Sequence, residues 1–185
     1  DYILFDSAWV GYEQFIPMMR DCSPLLLELG ENDPGILVTQ SVHKQQAGFS
    51  QASQIHKKDN HISGQARYVN HKRFNNSFMM HVSTSPFYPL FASLDVNAKM
   101  HEGKAGQRMW HECVIGGIEA RKMLLDTCTM ILPFVPPTVD GQAWQDYDTE
   151  IIAHDIRFFR FEAGARWHDF QHYADDQYFI DPCKL

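Results

Sequence analysis

Two unbroken apolar runs of strand length stand out in the first quarter of the chain. The first, YILFD, covers residues 2–6, and the second, GILVTQS, covers 35–41 directly after the turn signal Asp33-Pro34-Gly35. Continuous apolar runs, as opposed to alternating ones, are typical of strands buried on both faces, as in a parallel sheet covered by helices. We therefore expect both segments to be buried strands.

Strand and helix patterns alternate along the rest of the chain. Residues 49–59 alternate loosely between apolar and polar side chains and predict a further strand, and IRFFRFE (156–162) predicts a late one. Apolar positions at helical spacing, between a Ser-Pro start and a Gly stop, predict a helix over 85–103. The longest helical pattern covers 106–128. This alternation indicates an α/β fold with a mostly parallel sheet flanked by helices.

Three connecting segments are less regular. Residues 60–77 are polar and locally basic and predict an exposed excursion, and the proline-rich stretch LPFVPPTVDG (132–141) predicts a connector. The stretch PLLLELGEN (24–32) fits either a short helix or a loop, and its pattern does not decide between them.

The composition excludes several classes of function. A chain of 185 residues with 44% hydrophobic and 13% aromatic residues fits one packed domain and not a disordered segment. Its net charge of −7 is opposite to that of typical nucleic-acid or anionic-membrane binders. No apolar stretch approaches the roughly 18 to 20 residues that span a bilayer. Four scattered cysteines and the lack of a leader pattern indicate reduced thiols in a cytoplasmic protein.

Each of the first two predicted strands leads to a charged residue. Asp6 ends the first, and Lys44 follows the second within TQSVHKQQAGFSQ (39–51). In open α/β sheets, ligands bind at the carboxyl edge of the strands, where both residues are expected. A structural salt bridge is one explanation. The other is a pyridoxal 5'-phosphate (PLP) site, in which a lysine forms a Schiff base and an aspartate keeps the pyridine nitrogen protonated. The spacing leaves both open.

A PLP site makes demands on its surroundings. Imine exchange needs a neutral amine, so Lys44 is expected in a desolvated setting that lowers its pKa, and Asp6 is expected to be buried. Ser41 and His43 flank the lysine and are candidates to donate hydrogen bonds to the phosphate. The indole N–H of Trp9 is a candidate to reach the phenolic oxygen of the cofactor. Core packing is the alternative role for Trp9.

Three segments resemble a known family. They are FDSAWVGYEQF (5–15), TQSVHKQQAGFSQASQIHKKD (39–59) and FMMHVSTSPFYPLFASLD (78–95). They resemble the bacterial basic-amino-acid decarboxylases of the ornithine/lysine/arginine type, which are PLP enzymes of the aspartate-aminotransferase fold. The likeness runs from residue 1 to residue 185. The insert ISGQARYVNHKRFNN (62–76) is most similar to the ornithine branch.

The resemblance implies a role for each candidate residue. Lys44 would be the Schiff-base lysine and Asp6 the partner of the pyridinium nitrogen, with His43 completing the catalytic set. Ser83-Thr84-Ser85 matches a stretch that reaches a phosphate across a dimer interface from the neighbouring subunit, without showing which hydroxyl does so. The implied cofactor-binding residues are Lys44, Asp6, Trp9, Ser41, His43, Ser83 and Ser85.

The resemblance also implies an activity and an assembly. The expected reaction is decarboxylation of L-ornithine to putrescine and CO2, with lysine or arginine as alternative substrates and a silent regulatory relative as a further alternative. A homodimer or higher homo-oligomer with shared active sites is expected. Residues 1–185 would be part of the PLP-binding large domain, truncated at both ends, with 132–141 leading toward the next domain. The isolated chain would then be inactive.

One histidine pair is a weak metal candidate. His168 and His172 are four residues apart, which is the spacing of zinc ligands on one helix face. Nothing beside them completes a zinc motif, and the stretch RWHDFQHY does not clearly predict a helix. We therefore expect no metal site.

Overall fold

The computed structural model describes residues 1–174 and 176–185. These residues form two compact units. The first unit contains Asp1–Phe15 and Arg20–Gly103, and the second contains Ile16–Met19 and Lys104–Leu185.

A three-stranded sheet forms the centre of the first unit. Strands β1 (Tyr2–Asp6), β2 (Gly35–Gln40) and β3 (Gln54–Lys58) lie in the order β1-β2-β3. β1 runs parallel to β2, and β3 runs antiparallel to it. The predicted α/β class is confirmed, and this sheet combines one parallel and one antiparallel pairing.

The two apolar strands differ in burial. In β2 the side chains of Ile36 and Val38 are 1% and 0% exposed, which confirms the prediction of a buried strand. In β1, Ile3 is 47% and Leu4 63% exposed, so the same prediction is wrong there. Among the described residues β2 is the central strand, and β1 pairs with β2 alone. The side chains of β1 therefore lack the cover that β2 receives.

Three α-helices and several short 3-10 turns complete the described part of the first unit. The α-helices are α1 (Val42–Gln45), α2 (His71–Met79) and α3 (Tyr88–Met100). α2 has no buried residue, in agreement with the predicted exposed excursion. α3 confirms the helix predicted over 85–103.

The undecided stretch 24–32 begins with a single 3-10 turn, Pro24–Leu26, and continues as a loop.

The second unit is built around one long helix. α4 begins at Gly103, the last residue of the first unit, and ends at Thr127, as the pattern over 106–128 predicts. A short ribbon of β4 (Thr138–Val139) and β5 (Gln142–Ala143) follows, and then α5 (Thr149–His154). Within these 25 residues of α4, the side chains of Trp110, Val114, Ile118 and Arg121 are buried.

The strand predicted over 156–162 is wrong. Ile156–Phe159 is a 3-10 helix that begins at Asp155, whose carboxylate accepts a hydrogen bond of 2.9 Å from the Arg157 backbone N–H. Phe158 and Phe159 are 1% and 0% exposed. Successive strand residues point to opposite faces, so two adjacent phenylalanines both reach the core more readily from a turn.

Buried Arg121 holds the C-terminal residues against α4. Its guanidinium donates hydrogen bonds to the carbonyls of Pro182 (2.7 Å), Asp181 (3.0 Å) and Lys184, and to that of Gly117 (3.1 Å). Burial lowers the pKa of Arg121 below its ordinary value. The carbonyl oxygens supply the partners that a buried guanidinium requires.

Two general expectations can be compared with the structure. Across residues 1–174 and 176–185, no helix combines the length and the apolar character needed to cross a membrane. All four cysteines are free thiols, in line with the expectation of reduced cysteines.

Candidate active site

Asp6 and Lys44 lie at the same edge of the sheet. Asp6 is the last residue of β1 and pairs in register with Thr39 of β2. The chain leaves β2 at Gln40 and turns at once into α1, where the Lys44 N–H donates to the Ser41 carbonyl at 3.0 Å. Because the two strands are parallel, their carboxyl ends coincide, as the spacing predicted.

The amine of Lys44 lies over an aromatic face. Its Nζ is 4.8 Å from the centroid of the Trp9 ring, within the range of a cation–π interaction. Trp9 is 60% exposed, so it does not have the core-packing role that was its alternative. In the described part of the chain Lys44 and Asp6 form no ion pair with each other, so the salt-bridge explanation is not observed.

The expected burial of the two charged residues is wrong for this chain. Both Lys44 and Asp6 are exposed. α1 buries only Val42, and β1 is an edge strand, so neither element covers the carboxyl edge of the sheet. The geometry brings the amine and the carboxylate to one edge without removing either from solvent.

One carboxylate oxygen of Asp6 has a backbone partner. Its Oδ1 accepts a hydrogen bond of 3.0 Å from the Ala8 N–H, which fixes the side chain at the start of the loop after β1. Oδ2 remains available for a further donor.

The tautomer of His43 is set by a backbone carbonyl. Its Nδ1 lies 2.8 Å from the Ala52 carbonyl oxygen, which can only accept, so Nδ1 carries a proton. The neighbouring Ser41 precedes α1 in the N-cap position, yet its side chain makes no capping hydrogen bond. Nε2 of His43 and the hydroxyl of Ser41 are therefore the polar atoms that these two residues can offer to a ligand.

Two residues of α3 that were not predicted from the sequence hold the segment after Lys44. Asn97 accepts a hydrogen bond from the Ala47 N–H at 3.0 Å and donates to the Gln46 side chain at 2.8 Å. Ser93 accepts from the Phe49 N–H at 3.0 Å. Both side chains are buried. Two uncharged polar residues four positions apart, and therefore on one face of the predicted helix, were the signal that could have indicated them.

Gln46 and Gly11 join the loops that follow β1 and β2. The Gln46 side-chain amide donates to the Gly11 carbonyl at 3.0 Å. Gly11 has a φ of +110°, and a Cβ there would lie 2.8 Å from Nε2 of Gln40. A side chain at this position would be strained by the positive φ and would require the Gln40 side chain to shift.

Buried Gln40, the last residue of β2, joins the end of this strand to β3 by side-chain hydrogen bonds. Its Oε1 accepts hydrogen bonds from Gln54 (2.8 Å) and from Nε2 of His56 (3.0 Å) on the neighbouring strand β3. Burial lowers the pKa of His56 below its ordinary value. The end of the sheet is thus fixed by a polar network and not by apolar packing alone.

Ser83 and Ser85 lie on an exposed segment before α3. The Ser85 N–H donates to the Ser83 hydroxyl at 3.3 Å, and that hydroxyl lies 3.5 Å from the Ser85 carbonyl. Within the described ranges, no hydrogen bond joins either serine to Asp6 or Lys44. The chain therefore places Asp6, Trp9, Ser41, His43 and Lys44 at or just after the carboxyl ends of β1 and β2, whereas the hydrogen bonds between the two serines are local.

Comparison with known proteins identifies the family. The profile of the family "Orn/Lys/Arg decarboxylase, major domain" matches residues 1–185. The chain belongs to this family. It is 74% identical to the ornithine decarboxylase of Haemophilus influenzae and 74% identical to the constitutive ornithine decarboxylase of Escherichia coli. Each alignment covers 100% of this chain and 26% of the relative, so the chain spans about a quarter of these proteins.

More distant family members act on other amino acids, as their names state. The chain is 30% identical to the biodegradative arginine decarboxylase of E. coli over 100% of its length and 26% of that relative. The solved structure of the E. coli constitutive lysine decarboxylase superposes with a TM-score of 0.71 at 31% identity, covering 98% of this chain and 23% of that one. The fold is thus shared beyond the ornithine branch.

Proposed function

We propose that this chain is part of a PLP-dependent ornithine decarboxylase that converts L-ornithine to putrescine and CO2. The proposed substrate rests on sequence identity, which is 74% with two ornithine decarboxylases and 30–34% with the arginine and lysine decarboxylases. A lysine or arginine decarboxylase, or a catalytically silent relative, is the alternative. The proposal places residues 1–185 in the PLP-binding large domain, with 132–141 leading toward the next domain.

The donor set at the sheet edge fits PLP. The cofactor needs an amine for its aldehyde, a carboxylate for its ring nitrogen and hydrogen-bond donors for its phosphate. Lys44, Asp6 and the pair Ser41 and His43 supply these three chemistries within one short stretch of the carboxyl edge. Bound PLP supplies an electron sink for the pair left on the substrate Cα when its carboxylate leaves.

Lys44 and Asp6 would be the residues in contact with the reacting part of the cofactor. Lys44 would hold the aldehyde end in the resting enzyme, and its amine would later move a proton at the substrate Cα. Asp6 would use Oδ2 to keep a proton on the ring nitrogen, because Oδ1 already accepts from Ala8. Trp9 would orient the lysine through its ring face, since the amine lies 4.8 Å from the ring centroid.

His43 would contribute to the phosphate side through Nε2 only. The Ala52 carbonyl occupies Nδ1, so Nε2 of a neutral His43 is a hydrogen-bond acceptor and cannot donate to a phosphate oxygen. A donor at Nε2 requires the protonated imidazolium, which also adds a positive charge. The Ser41 hydroxyl donates irrespective of pH.

The exposure of Lys44 in this chain bears on the assembly that we propose. A neutral amine is favoured by removal from water, and here Lys44 and Asp6 are exposed. We propose a homodimer or larger homo-oligomer in which the partner covers this edge and its Ser83-Thr84-Ser85 segment reaches the phosphate. The exposed serine hydroxyls support this role, because their partners within the chain are local.

The decisive test uses the full-length protein in its native assembly. Reduction with borohydride, followed by peptide mass mapping, is expected to place a pyridoxyl group on Lys44. Lys44→Arg should abolish both the adduct and the release of CO2, whereas Lys99→Arg, on an exposed face of α3, should change neither. An adduct on a different lysine would overturn the assignment, and no adduct at all would favour the silent relative.

The substrate is tested separately by competition. Ornithine, lysine and arginine are offered together, and the three amines are quantified. We expect putrescine to dominate. A higher kcat/KM for lysine or arginine would replace the proposed substrate while leaving the roles of Lys44 and Asp6 intact.

A further inference from the structure

The second unit carries a cluster of two histidines and a glutamate that the proposed decarboxylation does not use. His111 lies on α4, and Glu150 and His154 lie on α5. Nε2 of His111 is 3.4 Å from Oε1 of Glu150, and Nδ1 of His154 is 3.6 Å from Oε2 of the same carboxylate. One ligand atom from each of the three lies within 4.8 Å of those of the other two.

We propose that His111, Glu150 and His154 form a binding site for a divalent transition-metal ion of the zinc class. Imidazole nitrogens and a carboxylate oxygen are the ligands that zinc takes when sulfur is absent. Tetrahedral zinc with ligand bonds of about 2.0–2.1 Å holds its ligand atoms about 3.4 Å apart. The separation between Nε2 of His111 and Oε1 of Glu150 already has this value. The 3.6 Å contact of His154 is made by Nδ1, which is hydrogen-bonded to a backbone carbonyl, so it does not count as a ligand distance.

The helices that carry the three side chains are held together by packing and hydrogen bonds. α5 packs Ile152 and Ala153 into the core, where they are 0% and 4% exposed. Lys122 of α4 donates hydrogen bonds to the Tyr147 carbonyl (2.6 Å) and the Thr149 hydroxyl (3.1 Å), which ties the start of α5 to α4. The relative position of the two helices is therefore set before any ion binds, which reduces the ordering cost of binding.

The ring of His154 has an orienting partner. Its Nδ1 donates to the Glu150 backbone carbonyl at 2.8 Å, which places the proton on Nδ1 and the lone pair on Nε2. Metal-binding histidines commonly have such a carbonyl partner on the nitrogen that does not bind the ion. The rings of His111 and His154 also lie near each other, with centroids 5.5 Å apart.

The cluster is open enough to admit an ion. The side chains of His111, Glu150 and His154 are 36%, 61% and 59% exposed, so small rotations of all three can close the remaining gap. Two neutral imidazoles and one carboxylate carry a single negative charge, which a divalent cation reverses to one positive charge. Water would supply the fourth ligand. A bound ion would cross-link α4 and α5 and so stabilise the folded second unit.

The test is zinc titration of untagged, chelator-treated full-length protein by calorimetry, with Co²⁺ absorption as a report on tetrahedral geometry. The wild type is expected to bind one zinc ion per chain. Glu150→Gln should lower the zinc affinity by at least about tenfold, since substitutions even outside the set of direct ligands cost 10- to 100-fold in metal affinity. His111→Ala with His154→Ala should abolish that binding and the Co²⁺ band. His81→Ala, an exposed histidine of the first unit, is the matched control and should change neither.

The outcomes are decisive in both directions. Unchanged zinc affinity and stoichiometry in the double variant, or no saturable binding by the wild type, would overturn the site. Glu150→Gln replaces an exposed side chain with one of the same size, and far-UV circular dichroism checks that it folds. Because the readout is metal binding, the result does not depend on whether the protein decarboxylates ornithine.

Discussion

The amine of Lys44 lies 4.8 Å from the centroid of the Trp9 indole ring. These two residues follow different strands, β1 and β2, that are separated by a loop of more than twenty residues. The contact therefore depends on the parallel pairing of Tyr2–Asp6 with 35–39 and on the junction between the two loops at Gln46 and Gly11.

Replacing Trp9 with leucine should weaken cofactor binding to the full-length protein by about two- to fivefold. The ring face would hold Lys44 in position before the cofactor binds, and loss of a contact worth about 0.5–1 kcal/mol at an exposed site corresponds to that factor. Absorbance titration of the apoprotein with PLP measures the affinity. Trp9→Phe keeps a ring face without the indole N–H, so it should retain most of the affinity. Equal loss in both variants would assign the effect to the N–H instead.

Removal of the Asn97 side chain should loosen the segment that follows Lys44. Asn97→Ala leaves the Ala47 N–H and the Gln46 side chain without their buried partner, which costs about 1–3 kcal/mol of unfolding free energy. Displacement of the lysine should also lower kcat/KM, by up to about 100-fold for a shift of about 1 Å. Urea unfolding and steady-state kinetics of the full-length protein measure the two effects.

The matched control for Asn97 is Asp95→Ala on the same helix. Asp95 is exposed, so its removal should change the unfolding free energy by less than about 0.5 kcal/mol. Similar behaviour of the two variants would mean that the hydrogen bonds of Asn97 do not hold the loop.

The parts of the site closest to the strands were predictable from sequence. An apolar run that ends in Asp6 and another that leads to Lys44 require only that the strands pair in parallel, and the register confirms it. Whether an apolar strand is buried depends on the elements that lie beside it in the fold. For that reason the sequence predicted burial equally for β1 and β2, although only β2 is central.

Residues that act through tertiary contacts were not predictable in the same way. The helical pattern of 85–103 shows which positions share a face, but not that Ser93 and Asn97 meet the backbone of 47–49. The run IRFFRFE has the composition of a strand, and Asp155 at its start turns it into a 3-10 helix. His111 and His154 are 43 positions apart, so only the fold brings them together.

His56 should make the stability of the protein depend on pH. Burial lowers its folded-state pKa below the ordinary value of 6.5, so the unfolded chain binds more protons in the range below about 6.5. The associated stability is present above pH 6.5 and is lost as pH falls through that value toward the folded pKa. His56→Asn retains an N–H donor near Gln40 but does not titrate.

The measurement for His56 is urea unfolding of the full-length wild type and of His56→Asn between pH 5 and 7. The wild type should lose more unfolding free energy on acidification than the variant does. Parallel pH profiles would show that His56 is not the titrating group responsible.

Adjacent glycines in α4 should respond oppositely to the same substitution. A Cβ on Gly117 would collide with the carbonyl oxygen of Pro182, a backbone atom that Arg121 also binds, so Gly117→Ala must displace the C-terminal residues. A Cβ on Gly116 meets no heavy atom within 4 Å among the described residues, and alanine favours the helix by about 0.5–1 kcal/mol over glycine. Thermal unfolding of the full-length protein should therefore show a lower midpoint for Gly117→Ala and an equal or higher midpoint for Gly116→Ala.

A Gly117→Ala variant with a higher midpoint than the wild type would mean that the C-terminal residues do not pack against α4 as described.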